Sequence, residues 1–202
     1  MYELYASRES ASDIIRGVLD EIGAAYTVHG ISLSAGDQHR PEFLAINPAG
    51  RIPVLVDDGK VIFETAAIIL HLLDKHPQAG LAPVVGSSQR ATFYQWLVYV
   101  SNTLQTAYSR LYFPERFTRR QDQTRGIRSQ VDSDLAGYWR IIDTVLSAPG
   151  PFMLGAQFSA LDIYVLVLAS WHRPEGMIAE EFSHVQRCID LVADRPAIKG
   201  LV

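Results

Sequence analysis

Apolar positions recur along this chain in two rhythms, and the change from one to the other divides it. In the first part, short β-branched and aromatic runs alternate with stretches at helical spacing. Glu3-Leu4-Tyr5-Ala6 predicts a short strand. Residues 12–23 carry Ile14, Ile15, Val18, Leu19 and Ile22 on one helical face, with Gly23 placed to close the helix. Residues 26–31 predict a second strand, 37–40 a polar loop, and 41–45 a short helix opening on Pro41. Two further strands follow, at 53–56 and 61–63. They are joined by a hairpin at Asp57-Asp58-Gly59-Lys60, whose Asp and Gly residues tolerate positive φ. A helix then opens on Glu64-Thr65 and runs to His76-Pro77. That order predicts a mixed sheet with helices on both faces.

After residues 77–88, a Pro- and Gly-containing linker, the strand rhythm is gone. Helical stretches are predicted over 89–112, rich in aromatics, and over 123–146, with Ala148-Pro149-Gly150-Pro151 breaking the pattern. Ser159-Ala160-Leu161-Asp162 is a capping-box signature: Ser159 as N-cap, with Asp162 reaching back to its N–H. The expected domains are 1–78, α/β, and 88–202, all-helical.

Composition narrows the function. With 202 residues, 48% of them hydrophobic, the chain can bury one substantial core or two small ones. A net charge of −4, with Lys and Arg scattered, argues against nucleic acid as the main partner. Arg116, Arg119, Arg120, Arg125 and Arg128 do cluster, but Asp122 and Asp132 interrupt them, so they read as a solvated turn and loop. The single cysteine, Cys188, excludes an internal disulfide and a Cys-based metal cage. The apolar run 163–171 is too short to span a bilayer. The opening residues go straight into a strand, and a cytoplasmic, soluble protein with no membrane partner is expected.

The segment Asn47-Pro48-Ala49-Gly50-Arg51-Ile52-Pro53-Val54-Leu55 carries the chemistry. Pro53 has no N–H and belongs at a strand's first residue, and an X-Pro bond is the one place where a cis peptide costs little. A cis bond there would turn the N–H and C=O of Ile52 outward, toward an extended peptide. Beyond the next strand, the first N–H groups of the helix at Glu64-Thr65 would form an anion site. Together these parts suit a small peptide carrying a carboxylate.

This arrangement resembles the glutathione-binding half of the cytosolic glutathione transferases. The matching pieces are Asn47-Pro48, Gly50-Arg51-Ile52-Pro53-Val54-Leu55 and Glu64-Thr65-Ala66-Ala67-Ile68. The resemblance implies an α/β thioredoxin-like N-terminal domain followed by an all-α C-terminal domain. It implies glutathione as co-substrate with no metal, a homodimer, and attack of the glutathione thiolate on a small apolar electrophile. Ile52 and Pro53 would pair with the cysteinyl backbone of glutathione. Glu64 and Thr65 would hold its γ-glutamyl end. Gln38 or His39 would lie over the glycine carboxylate, with Arg51 adding positive charge.

The thiolate needs a donor between the first strand and the first helix, where the helix dipole assists. The segment Ser7-Arg8-Glu9-Ser10-Ala11-Ser12 has no cysteine, which points to the serine-using members; a bacterial one is expected. Ser10 and Ser12 are the candidates, with the N–H of Ala11 beside them. Ser12 reads equally as the helix N-cap. A carboxylate at Glu9 would oppose thiolate formation unless it faces solvent. Tyr108 and Tyr112, four apart near a helix end, are candidates for the electrophile pocket. Leu104-Gln105 departs from the Leu-His pair of the beta class. Glutathione-dependent peroxide reduction or isomerisation, and a non-catalytic binding scaffold on the same fold, are the competing readings.

Overall fold

The structure, a computed structural model, describes residues 1–174 and 176–202. The chain divides into two units, Met1–Ala82 together with Ala193–Val202, and Pro83–Val192.

The first unit begins with β1 (Tyr2–Ala6), α1 (Ser12–Glu21) and β2 (Tyr26–Gly30). A 3₁₀ turn at Asp37–His39 stands where a polar loop is predicted. After it come α2 (Pro41–Leu44), β3 (Val54–Asp57), β4 (Lys60–Phe63) and α3 (Thr65–Lys75). The strands form one sheet in the order β2-β1-β3-β4. β1 and β2 are parallel, and the β1–β3 and β3–β4 pairs are antiparallel. This is the mixed thioredoxin-like sheet that the alternation of strand and helix signals predicts.

Its core follows from those periodicities. Ile14, Ile15, Val18 and Leu19 of α1 are fully buried with Ile68, Ile69 and Leu72 of α3 and Leu4, Val54 and Leu55 of the sheet. Each such side chain removed from water contributes about 1.5–3 kcal/mol. Tyr5, on the opposite face of β1 from Leu4, stacks on His29 at 4.6 Å and meets Phe43 of α2 edge-on at 6.1 Å. Near the chain's end, Arg195 forms a two-pronged pair with Glu21 of α1, at 2.6 and 2.8 Å.

The second unit is helical: α4 (Ser88–Val98), α5 (Gln105–Tyr112), α6 (Thr124–Leu146), α7 (Ala160–Ser170) and α8 (Met177–Glu181). α9 (Ser183–Ala193) follows. The helix predicted as continuous over 89–112 is interrupted by a π-helical turn at Tyr99–Leu104. The run Val100-Ser101-Asn102-Thr103 there is β-branched and polar, the composition least suited to a regular helix interior. Helix α7 is apolar all round and buried from Ala160 to Ala169, as a central helix must be. Its capping box forms as the sequence predicts. Ser159 N–H donates to Asp162 Oδ2 at 2.8 Å, and Leu161 N–H donates to Ser159 Oγ at 3.3 Å. Among the described residues no helix is long and apolar enough to cross a membrane.

Candidate functional site

The register of the sheet gathers the three segments singled out by sequence. Tyr5 pairs with Val54, and Val54 pairs with Phe63. Because β3 runs against both neighbours, the exit of β1, the entry of β3 and the exit of β4 share one end of the sheet. The Ser7–Ser12 turn, Ile52-Pro53 and Glu64-Thr65 therefore leave it side by side. Adjacent strands are about 4.8 Å apart, so the outer two segments start within about 10 Å of each other.

The serines form a cluster. Ser10 Oγ donates to the Ser7 carbonyl at 2.7 Å, lies 3.0 Å from Ser12 Oγ, and accepts the Ser12 N–H at 3.1 Å. The alternative reading of Ser12 as the N-cap is corrected: Ser12 is the first residue of α1 and fully buried, and the hydroxyl that caps its N–H belongs to Ser10. Ser10 is half-buried. Asp13 completes the turn by accepting the Ser10 N–H at 3.3 Å, and the Asp13 N–H returns to the Ser10 carbonyl at 3.0 Å. Ser10-x-x-Asp13 thus closes the turn just ahead of α1 with reciprocal bonds and the same Ser-x-x-Asp signature as Ser159-x-x-Asp162. That signature was the signal by which Asp13, absent from the candidates, was legible in the sequence. Glu9 has φ 55° and is exposed, facing solvent.

The loop ahead of β3 is braced from inside. Buried Asn47 donates through Nδ2 to the Arg51 carbonyl at 2.7 Å and accepts the Ala49 N–H at 3.0 Å. Gly50 takes φ 61°, and a Cβ on it would meet the Gln38 carbonyl and His39 Nδ1 at 3.2 Å each. The glycine therefore lets Gln38 and His39 lie directly against the segment that carries Arg51 and Ile52. Ile52-Pro53 is cis. Pro53 is buried, Ile52 half-buried, and Arg51 and His39 exposed. Gln38 is 7% exposed, yet its Oε1 has no hydrogen-bond partner among the described residues. A buried amide left over in this way is a hydrogen-bonding group available to a ligand.

Glu64 precedes α3 with φ 74° and ψ 116°, a conformation that L-residues rarely adopt. No side chain among the described residues caps this helix. Its first N–H groups and the positive end of its dipole are left for an anion. Thr65, the first residue of α3, is buried; Glu64 is exposed. Among the described residues, no group of three or more His, Cys, Asp or Glu is placed to hold a metal ion.

The two tyrosines of the helical unit differ. Tyr108 is 1% exposed, and its hydroxyl accepts from Trp139 Nε1 and lies against His172 Nδ1, both at 2.9 Å. Burial pushes its phenol pKa far up and the His172 imidazole pKa down, so both are neutral near pH 7. Tyr112 stacks on Tyr108 at 6.3 Å, is 41% exposed, and donates its hydroxyl to the Trp171 carbonyl. Tyr108 is an interior residue, and Tyr112 is the one with an open face.

Residues 1–74 match the family model described as glutathione S-transferase, N-terminal domain. The chain is 30% identical over 179 residues to glutathione S-transferase D7 of Drosophila melanogaster, covering 88% of this chain and 77% of that protein. It is 24% identical over 183 residues to glutathione S-transferase GstA of Escherichia coli O157:H7, covering 90% and 87%. Its fold superposes with a TM-score of 0.92, at 24% identity, on a glutathione transferase homologue from Sulfitobacter solved with bound glutathione. That match spans 100% of this chain and 99% of the other.

Proposed function

This chain belongs to the glutathione S-transferase family, and we propose that it is a glutathione transferase that activates glutathione through Ser10. The reading rests on one observation: the pairing Tyr5–Val54–Phe63 sets the serine turn, Ile52-Pro53 and Glu64-Thr65 side by side at one end of the sheet. Glutathione is a tripeptide with a carboxylate at each end and a thiol between, and each segment meets one part of it. The cysteinyl backbone lies extended along Ile52-Pro53. The γ-glutamyl carboxylate sits on the uncapped start of α3 with the Thr65 hydroxyl, and Glu64 takes the ammonium beside that carboxylate. The glycine carboxylate falls to Gln38, His39 and Arg51, which the Gly50 loop holds together.

A free thiol has a pKa of roughly 8.5, so the site must favour the anion. In the structure the Ser10 hydroxyl donates to the Ser7 carbonyl. On binding, that proton turns to the sulfur, and the positive end of α1 adds to the stabilisation. The thiol proton leaves to solvent. The thiolate then attacks an electrophilic carbon: the C–S bond forms, and the leaving group departs with its bonding pair. We place the enzyme in the cytoplasm as a homodimer.

Calorimetric titration of glutathione into the purified chain tests this without any choice of electrophile. One glutathione bound per subunit, with affinity about tenfold weaker in Glu64→Ala, is the expected result. An absence of heat up to about millimolar ligand, the range of a −4 kcal/mol interaction, would overturn the reading.

A further inference from the structure

We propose that Asp13 is a positioning residue for the thiol-activating hydroxyl, an assignment that rests on Ser10 being the donor to the glutathione sulfur. Both backbone groups of Ser10 are tied to this one residue. Its N–H goes to Asp13 Oδ2 at 3.3 Å, and its carbonyl accepts the Asp13 N–H at 3.0 Å. With the main chain of Ser10 held at both ends and Oγ on the Ser12 N–H, the hydroxyl proton is left to turn about the Cβ–Oγ bond. That rotation exchanges the Ser7 carbonyl for a ligand atom while Oγ continues to accept the Ser12 N–H at 3.1 Å. Apart from Asp13, the one side chain on Ser10 among the described residues is Ser12, whose Oγ lies 3.0 Å from the hydroxyl and leaves the Ser10 main chain untouched.

A capping carboxylate alone would be a poor choice so close to a sulfur anion, since like charges raise a thiol's pKa. The chain compensates one turn along α1. Asp13 is 3% exposed, and its second oxygen accepts Arg16 NH1 at 3.1 Å. The Arg16 side chain is itself held beside Tyr26 of β2, and its Nε is buried without a partner among the described residues. The other charges near the turn, Arg8 and Glu9, are exposed. Asp13 thus supplies its geometry with its charge already neutralised.

The sign of one measurement separates positioning from electrostatics. The ultraviolet absorbance of the thiolate of bound glutathione, followed against pH, gives the thiol pKa for the parent and for Ser10→Ala, Asp13→Ala and Asp13→Asn. Positioning requires Asp13→Ala to raise that pKa by about one unit, cutting the thiolate-to-thiol ratio about tenfold at a given pH. It must do so even though a negative charge has been removed. Asp13→Asn, whose amide oxygen still accepts the Ser10 N–H, stays close to the parent. The double variant Ser10→Ala/Asp13→Ala rises no further than Ser10→Ala alone, because both act on the same hydroxyl. Glutathione still binds every variant in calorimetry, weakened by no more than the lost thiolate stabilisation, about tenfold at most for a one-unit shift, which also checks that each variant folds. A lowered or unchanged pKa in Asp13→Ala, with Ser10→Ala raised, overturns the role of Asp13 and leaves the transferase reading intact. An unchanged pKa in Ser10→Ala overturns Ser10 as donor, and the role of Asp13 with it.

Discussion

A Cβ atom on Gly50 would stand 3.2 Å from the carbonyl oxygen of Gln38. The two backbones approach because Gly50 adopts φ 61°, and this contact holds the loop of Arg51 and Ile52 against Gln38 and His39. In Gly50→Ala both the left-handed backbone and the contact are strained, at a cost of about 1–3 kcal/mol. Chemical denaturation should show that loss, and calorimetry a several-fold weaker hold on glutathione. Unchanged affinity would separate this loop from the ligand.

Glu64 should show stability and binding moving in opposite directions. At φ 74° and ψ 116° its backbone suits glycine, so Glu64→Gly removes strain and should stabilise the fold by about 1 kcal/mol. The same change removes the side chain assigned to the γ-glutamyl end and should weaken glutathione binding about tenfold, or about 1.4 kcal/mol. Thermal melts with and without glutathione report both. A variant both more stable and equally tight would remove Glu64 from the site.

Asp57 ties β3 to α3 and makes the fold sensitive to acid. Lys75 Nζ at 2.6 Å is the larger influence holding this carboxyl below the usual carboxylate range, with His71 Nε2 at 2.7 Å adding to it. A depressed acid pKa contributes stability that is fully present above the unfolded value, about pH 4. That stability disappears as pH falls through the folded value. Asp57→Asn should flatten the denaturation midpoint against pH below about pH 4. Parallel curves for variant and parent would contradict this.

In the helical unit, Tyr108→Phe should be costly with no change in volume to blame. The hydroxyl serves both Trp139 Nε1 and His172 Nδ1, and its loss strands two buried groups. A penalty of about 1–3 kcal/mol is expected in the denaturation midpoint. A loss below about 0.5 kcal/mol would show that water replaces the hydroxyl.

Hydrophobic rhythm was sufficient for the architecture, since periods of two and of 3.6 are imposed by the strand and the helix themselves. It predicts all four strands of the first unit, while the start of the central helix α7 was legible in its capping box. It could not foresee the π-helical turn at Tyr99–Leu104, because the apolar positions on either side keep helical spacing. The candidate site was legible where it follows from local backbone chemistry: Pro53 at the head of a strand, Glu64-Thr65 at the head of a helix, serines at the head of another.

The sequence by itself determined the four strands, the helices between them and the capped start of α7, because those choices depend on neighbours a few positions away. Only the tertiary structure decided the rest. The pairing of Val54 with both Tyr5 and Phe63 brought three distant turns to one end of the sheet. Burial took Ser12 and Tyr108 inside while leaving Ser10 and Tyr112 partly open. These are properties of register and packing: they depend on residues far apart in the chain, and no local pattern encodes which of two similar side chains will face the solvent.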